Sequence, residues 1–160
     1  MRRGRPVQGG LAYGMWLVVL GLWQFTPCGW DVLWGGRPLL FVPFIVSTAM
    51  FTGPLIGGWL GCAAGFFWGV YAAAPFGVHA LLLLIIGCAT GLLERFLLRN
   101  NAVAALLLCA VATAVTVGAD CLWGVAVWQR VVVNAVYTLL WSIPVYAMMR
   151  ATYARLTKRR

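Results

Sequence analysis

The sequence predicts an all-α membrane protein, a bundle of six transmembrane helices, and three observations carry that reading. Of 160 residues, 63% are apolar and 9% charged, whereas a soluble domain carries about 25% charged residues to meet water. Glycine, proline and polar clusters divide the apolar sequence into six stretches, each near the roughly 20 residues that cross about 30 Å of hydrocarbon. The basic residues are sorted onto alternate connections, as a fixed orientation in a membrane requires. A chain of this length is near the size of one domain, which leaves no room for a separate soluble catalytic domain.

The first span is Leu11 to Phe25, preceded by Arg2, Arg3 and Arg5 and stopped by Thr26-Pro27. It lacks a small-x-small cleavage pattern, and no small residue precedes Cys28, so it is expected to stay as a first helix and not to be removed as a secretory signal. A polar turn from Asp31 to Arg37 and Pro38 leads to the second span, Leu39 to Thr52. Gly53-Pro54 separates it from the third, Leu55 to Ala74. No charge marks that break, but an unbroken helix from Leu39 to Ala74 would run about 54 Å, far beyond any bilayer's need. Pro75-Phe76-Gly77 ends the third span. The fourth, Val78 to Leu93, is closed by Glu94-Arg95 and by Arg99-Asn100-Asn101. Ala102 to Val125 and Val131 to Met149 complete the set, all six in a single transmembrane domain spanning 1–160.

Twelve Lys and Arg against three Asp and Glu give a net charge of +9, a balance that in a soluble chain suggests phosphate-rich partners. Here the two tails hold eight of the twelve, Arg150, Arg155, Lys158, Arg159 and Arg160 among them. With six crossings, the tails and the loop carrying Arg95 and Arg99 share one face, and only Arg37 and Arg130 fall on the other. The positive-inside rule then places both termini in the cytoplasm. The charge reads as orientation and contact with anionic membrane lipid, and no nucleic-acid partner is expected. Trp23, Trp30, Trp34, Trp123 and Trp128 gather toward the outer interface, where indole rings prefer to sit.

Five cysteines lie scattered without a C-x-x-C pair, and His79 is the single histidine. Zinc takes three or four closely arranged N, O or S ligands, so neither a metal site nor a cofactor is expected.

The most ordered pattern belongs to the third span: Gly53, Gly57, Gly61, Gly65 and Gly69 recur at intervals of four, followed by Ala73 and Gly77. Small residues at that spacing present a flat strip on which another backbone can approach closely, where lipid gives no hydrophobic drive to association. Each step overshoots a full turn by about 40°, so the strip winds and favours a partner that crosses the helix. Gly87 and Gly91 repeat the device in the fourth span, and Ala110, Ala114 and Gly118 in the fifth. Two readings stand: packing within the bundle, or a seam for a partner.

Asp31, Arg37, His79, Asp120, Gln129, Arg130 and Asn134 all map to the outer end of the bundle. Gathered together they would form a polar rim for a ligand or a periplasmic partner; left apart they are the ordinary polarity of outer loops. No nucleophile, base and orienting group stand at workable spacing, and no carboxylates are paired. Catalysis is not expected.

A short first span, Arg37-Pro38 opening an apolar second span, G-F-F-W-G at Gly65 to Gly69, F-G-V-H-A-L at Phe76 to Leu81, and a last span with Asn134 near its start and Pro144 inside it together resemble the bacterial rod shape-determining protein MreD family, over roughly Arg37 to Arg150. One departure is that Val70 to Phe76 lacks the acidic residue that family members usually carry after the glycine pair. The resemblance implies a non-catalytic inner-membrane scaffold of the cell-wall elongation machinery. It implies as partners an MreC-like protein, a RodA-like glycosyltransferase and a class B penicillin-binding transpeptidase. It also implies a fold similar to the substrate-binding components of energy-coupling-factor transporters, which supplies a rival reading as a vitamin-binding component.

Overall fold

The computed structural model describes residues 6–26, 39–71, 77–96, 102–122 and 128–158. These form six α-helices: α1 Pro6–Phe25, α2 Phe41–Thr52, α3 Pro54–Tyr71, α4 Val78–Phe96, α5 Ala102–Leu122 and α6 Trp128–Lys158. Among chains that cross lipid, helices satisfy backbone N–H and C=O groups within each segment, since hydrocarbon offers no water to do so. By length and apolar composition α5 and α6 suffice for a crossing, and the apolar parts of α1 to α4 are shorter. Joined to the composition, this makes the chain a multi-pass membrane protein.

The helix boundaries follow from local chemistry. Pro54 opens α3 at the first helical position, where a missing N–H costs nothing. Before it, Gly53 takes φ +93°, a left-handed conformation that glycine adopts without strain, and its N–H donates to the Ala49 carbonyl at 2.9 Å to close α2. That places the uncharged break between the second and third spans at Gly53. Gly77, φ +86°, does the same service ahead of α4. The last helix differs from its expected span: it continues past Met149 to Lys158. Arg150 marks where an apolar run ends, but Ala151, Ala154, Arg155 and Leu156 are good helix formers, so the helix outlasts the hydropathy. At the other terminus α1 begins at Pro6, ahead of Leu11, with proline at the first helical position.

The core is organised around α2, which touches each of the other five helices. Phe41 to Met50 are all buried, with Phe44, Ile45 and Val46 fully so. Large apolar side chains on the periphery, such as Met15, Trp59, Phe67, Leu107 and Leu140, are exposed, which suits a surface whose solvent is lipid.

At 12 residues, α2 is only about 18 Å long, less than the hydrocarbon thickness of about 30 Å. The N–H groups at its start therefore need partners from protein. Leu40 N–H donates to Gln24 Oε1 of α1 at 3.1 Å, and Leu39 N–H donates to Thr138 Oγ1 of α6 at 2.9 Å. Replacing Gln24 with Leu, or Thr138 with Val, leaves a buried N–H unpaired, and each change is expected to cost about 1–3 kcal/mol. Thermal unfolding in detergent measures it; unchanged stability in both variants would mean that α2 takes its N-terminal partners elsewhere.

These contacts also fix direction. The end of α1 meets the start of α2 through Gln24, so α1 begins at the far end of the bundle, beside the end of α2. Helix α6 passes Leu39 at Thr138 and Thr48 at Met149, whose Sδ accepts from Thr48 Oγ1 at 3.7 Å. It thus runs parallel to α2 and finishes at the end of the bundle where α1 starts.

Candidate functional site

The small-residue faces lie at the contact between α3 and α4, which is the most extensive in the molecule. A methyl group built on Gly61 would collide with the Leu83 carbonyl, 2.8 Å from its carbon. On Gly65 it would stand 2.5 Å from Ala80 Cα and closer still to the His79 carbonyl oxygen. From the opposite side, Gly87 abuts the Gly57 carbonyl, and Gly91 faces Pro54 N at 2.5 Å. Backbone therefore lies on backbone from the Pro54–Gly91 end to the Gly65–His79 end. Gly57 faces two neighbours, Ala49 of α2 and Gly87 of α4, as a strip that winds around its helix should.

At two members of the ladder an added methyl would meet no clash, although the Gly53 carbonyl carbon itself lies against Gly91. Gly53 is the turn residue already described. A methyl on Gly69 would meet only His79 Cβ, at 3.9 Å, an ordinary contact. Gly58, which the four-residue spacing passes over, does belong to the α3–α4 contact: a methyl there would sit 2.5 Å from Cys88 Sγ. The doubled glycine at 57–58 is the signal that could have found it.

Of the outer polar residues, the structure brings His79 and Asp120 together. Asp120 lies in the last turn of α5 and His79 in the first turn of α4, and Nε2 and Oδ1 are 2.7 Å apart. They do not form an exposed rim: the side chains retain 3% and 9% of their exposure. The cause is on α3, because Gly65 admits the backbone of His79 and Ala80 and so seats the start of α4 deep against the bundle. A hydrogen bond of this length between an imidazole and a carboxyl group, shielded from solvent, is a strong polar contact. The second ring nitrogen, Nδ1, is buried and has no hydrogen-bond partner among the described residues. Beside the pair is a small cleft bordered by Leu39, Phe41, Trp68, Leu83 and Thr116. Its volume of about 10 Å³ matches one water molecule.

Asn134 is half-buried on α6, and its carbonyl accepts from Thr138 Oγ1 at 2.6 Å; through Leu39 that network borders the same cleft. Arg130 lies in the first turn of α6. Asp31 and Arg37 fall outside the described residues. Sequence reasoning did not single out Gln24, Thr116 or Thr138, all buried; each is a polar residue inside an apolar run, which is the signal that marks them.

Chemically, the pair is an acid and a base without a nucleophile. The hydroxyl at the cleft is Thr116 Oγ1, which already donates to the Ala112 and Thr113 carbonyls, 3.0 and 2.9 Å away. Among the described residues no group of three or more His, Cys, Asp or Glu side chains is placed to hold a metal ion. What the arrangement does is tie α4 to α5, two helices with little other direct contact.

Comparison with known families agrees with the motifs. The model of the family described as rod shape-determining protein MreD matches residues 11–159, and the chain belongs to that family. No curated protein and no solved structure matches the chain.

Proposed function

We propose that this member of the MreD family is a non-catalytic inner-membrane scaffold of the cell-wall elongation machinery, with both termini in the cytoplasm. Membership, over residues 11–159, is the observation that carries the reading, since it implies a role in determining rod shape. The proposed partners are an MreC-like protein, a RodA-like glycosyltransferase and a class B penicillin-binding transpeptidase. The site supports the reading by what its groups are already doing. His79 is held by Asp120, and Gln24 and Thr138 are held by the start of α2.

The glycines serve packing within the chain on this account. Gly57, Gly61, Gly65, Gly87 and Gly91 meet backbone of the chain's own helices, so partners dock on outer faces. A vitamin-binding role of the kind found in energy-coupling-factor transporters gains little from the cleft. Small-molecule sites run to roughly 300–1,000 Å³, against about 10 Å³ beside His79.

Purification of the tagged chain from membranes that co-express the three partners tests the scaffold. At least one partner is expected to be retained well above an unrelated six-helix membrane protein. Retention of none, with the chain folded, would refute the scaffold reading.

A further inference from the structure

The end of α6 extends farther than bundle packing requires. The helix has 31 residues, about 46 Å at 1.5 Å per residue, whereas crossing the hydrocarbon takes roughly 20 residues. Its position is fixed by aromatic contacts with Phe51 in the last turn of α2: Tyr146 at 5.5 Å between ring centroids and Tyr153, stacked, at 5.4 Å. Beyond Met149 the helix therefore passes the turn at Gly53 and carries its last residues out of the bundle's end.

Those contacts also set the rotation of the projecting part. At about 100° per residue, Tyr146, Met149, Tyr153 and Leu156 share one arc, the arc that faces the bundle. Arg155 and Lys158 fall on the opposite side of the helix, and Arg150 flanks the bundle-facing arc, about 40° from Tyr146, so that the three basic positions share the remaining face. Arg150 and Arg155 are exposed, and among the described residues neither is in an ion pair. No acidic residue follows Asp120 in the sequence, and Arg159 and Arg160 extend the basic run. Among the described residues, the acid at this end of the bundle is Glu94, in the last turn of α4.

We propose that this basic arc is a binding surface for the headgroups of anionic phospholipids, which it draws to the end of α6 in preference to zwitterionic ones. Arg150 directly follows the residues that end the apolar run, so the arc begins at headgroup depth, where phosphate is concentrated. Tyr153 stands at the same level, as aromatic residues at an interface do. Guanidinium groups suit this ligand because they pair with phosphate oxygens through two parallel hydrogen bonds. Among the described residues Arg150 and Arg155 have no acidic partner on their own chain, and at this depth a lipid headgroup is the nearest anion; an acidic protein segment would have to displace it. The inference is independent of the scaffold reading and stands or falls separately from it.

Native mass spectrometry of the full chain, released from detergent with phosphatidylglycerol or phosphatidylcholine, tests it. Phosphatidylglycerol is expected to be retained preferentially, and the preference to fall about tenfold in the triple variant R150Q/R155Q/K158Q and with added salt, which screens exposed charge. The variant R150K/R155K, which keeps the charge, is expected to keep most of the preference. Thermal unfolding of each variant in detergent identifies any that fail to fold. Equal retention of the two lipids, or an undiminished preference in the folded triple variant, would overturn the proposal. So would tighter retention of a poly-glutamate peptide than of phosphatidylglycerol, which would assign the surface to an acidic protein segment.

Discussion

Isoleucine at Gly65 is expected to unseat α4 from α3. The first side-chain carbon would arrive 2.5 Å from Ala80 Cα and 2.6 Å from the His79 carbonyl carbon, and backbone atoms cannot rotate away as a side chain can. Overpacking a well-filled core costs about 1–3 kcal/mol; with backbone on both sides, the upper end of that range or more is expected. Gly61→Ile meets the Leu83 carbonyl in the same way. The matched controls are Gly14→Ala and Gly118→Ala, where nothing lies within 4 Å of the added carbon. There alanine is expected to be neutral or to stabilise by about 0.5–1 kcal/mol, because a helix interior favours it over glycine. Thermal unfolding in detergent separates the two groups. Wild-type stability in both isoleucine variants would refute the close α3–α4 contact.

The second large effect concerns the pair at the other end of that contact. Removing one partner of a buried hydrogen-bonded pair costs about 1–3 kcal/mol, and more where the survivor carries charge, because that survivor is left unpaired in an apolar site. Asp120→Ala is therefore expected to destabilise the bundle strongly. Asp120→Asn, which keeps an oxygen to accept from Nε2, should lose less. The double variant His79→Leu with Asp120→Leu should recover much of the loss, since apolar replacements of similar volume need no partners. A double-mutant cycle reads the coupling directly, with about 0.5–3 kcal/mol expected for groups in contact. Additive single effects would mean that the pair does not tie α4 to α5.

What the sequence makes legible is local. Breakers such as Gly53-Pro54 and Pro75-Phe76-Gly77 separate six helices because they act where they stand. The ladder is legible because its period is that of the helix itself. Its meaning at each step is not: Gly53 and Gly61 share the spacing, yet one turns the chain and the other admits a carbonyl. Hydropathy marks where hydrocarbon ends, not where a helix ends, so the continuation of α6 from Arg150 to Lys158 is invisible to it. The His79–Asp120 pair joins residues 41 apart, and placement at one end of a bundle does not reveal burial. That depended on Gly65, on a third helix. Likewise the capping of α2 by Gln24 and Thr138 follows from α2 being too short to reach water, a fact about its neighbours as much as itself.

Six crossings place the start of α1 and the end of α6 at one end of the bundle. Single cysteines placed at Gly4 and at Lys158, in a chain whose five native cysteines are replaced by alanine, can be challenged with a membrane-impermeant thiol reagent in sealed vesicles of known sidedness. Both sites are expected to react from the cytoplasmic face and to be protected from the other. Reaction of one from each face would contradict the arrangement of helices described here.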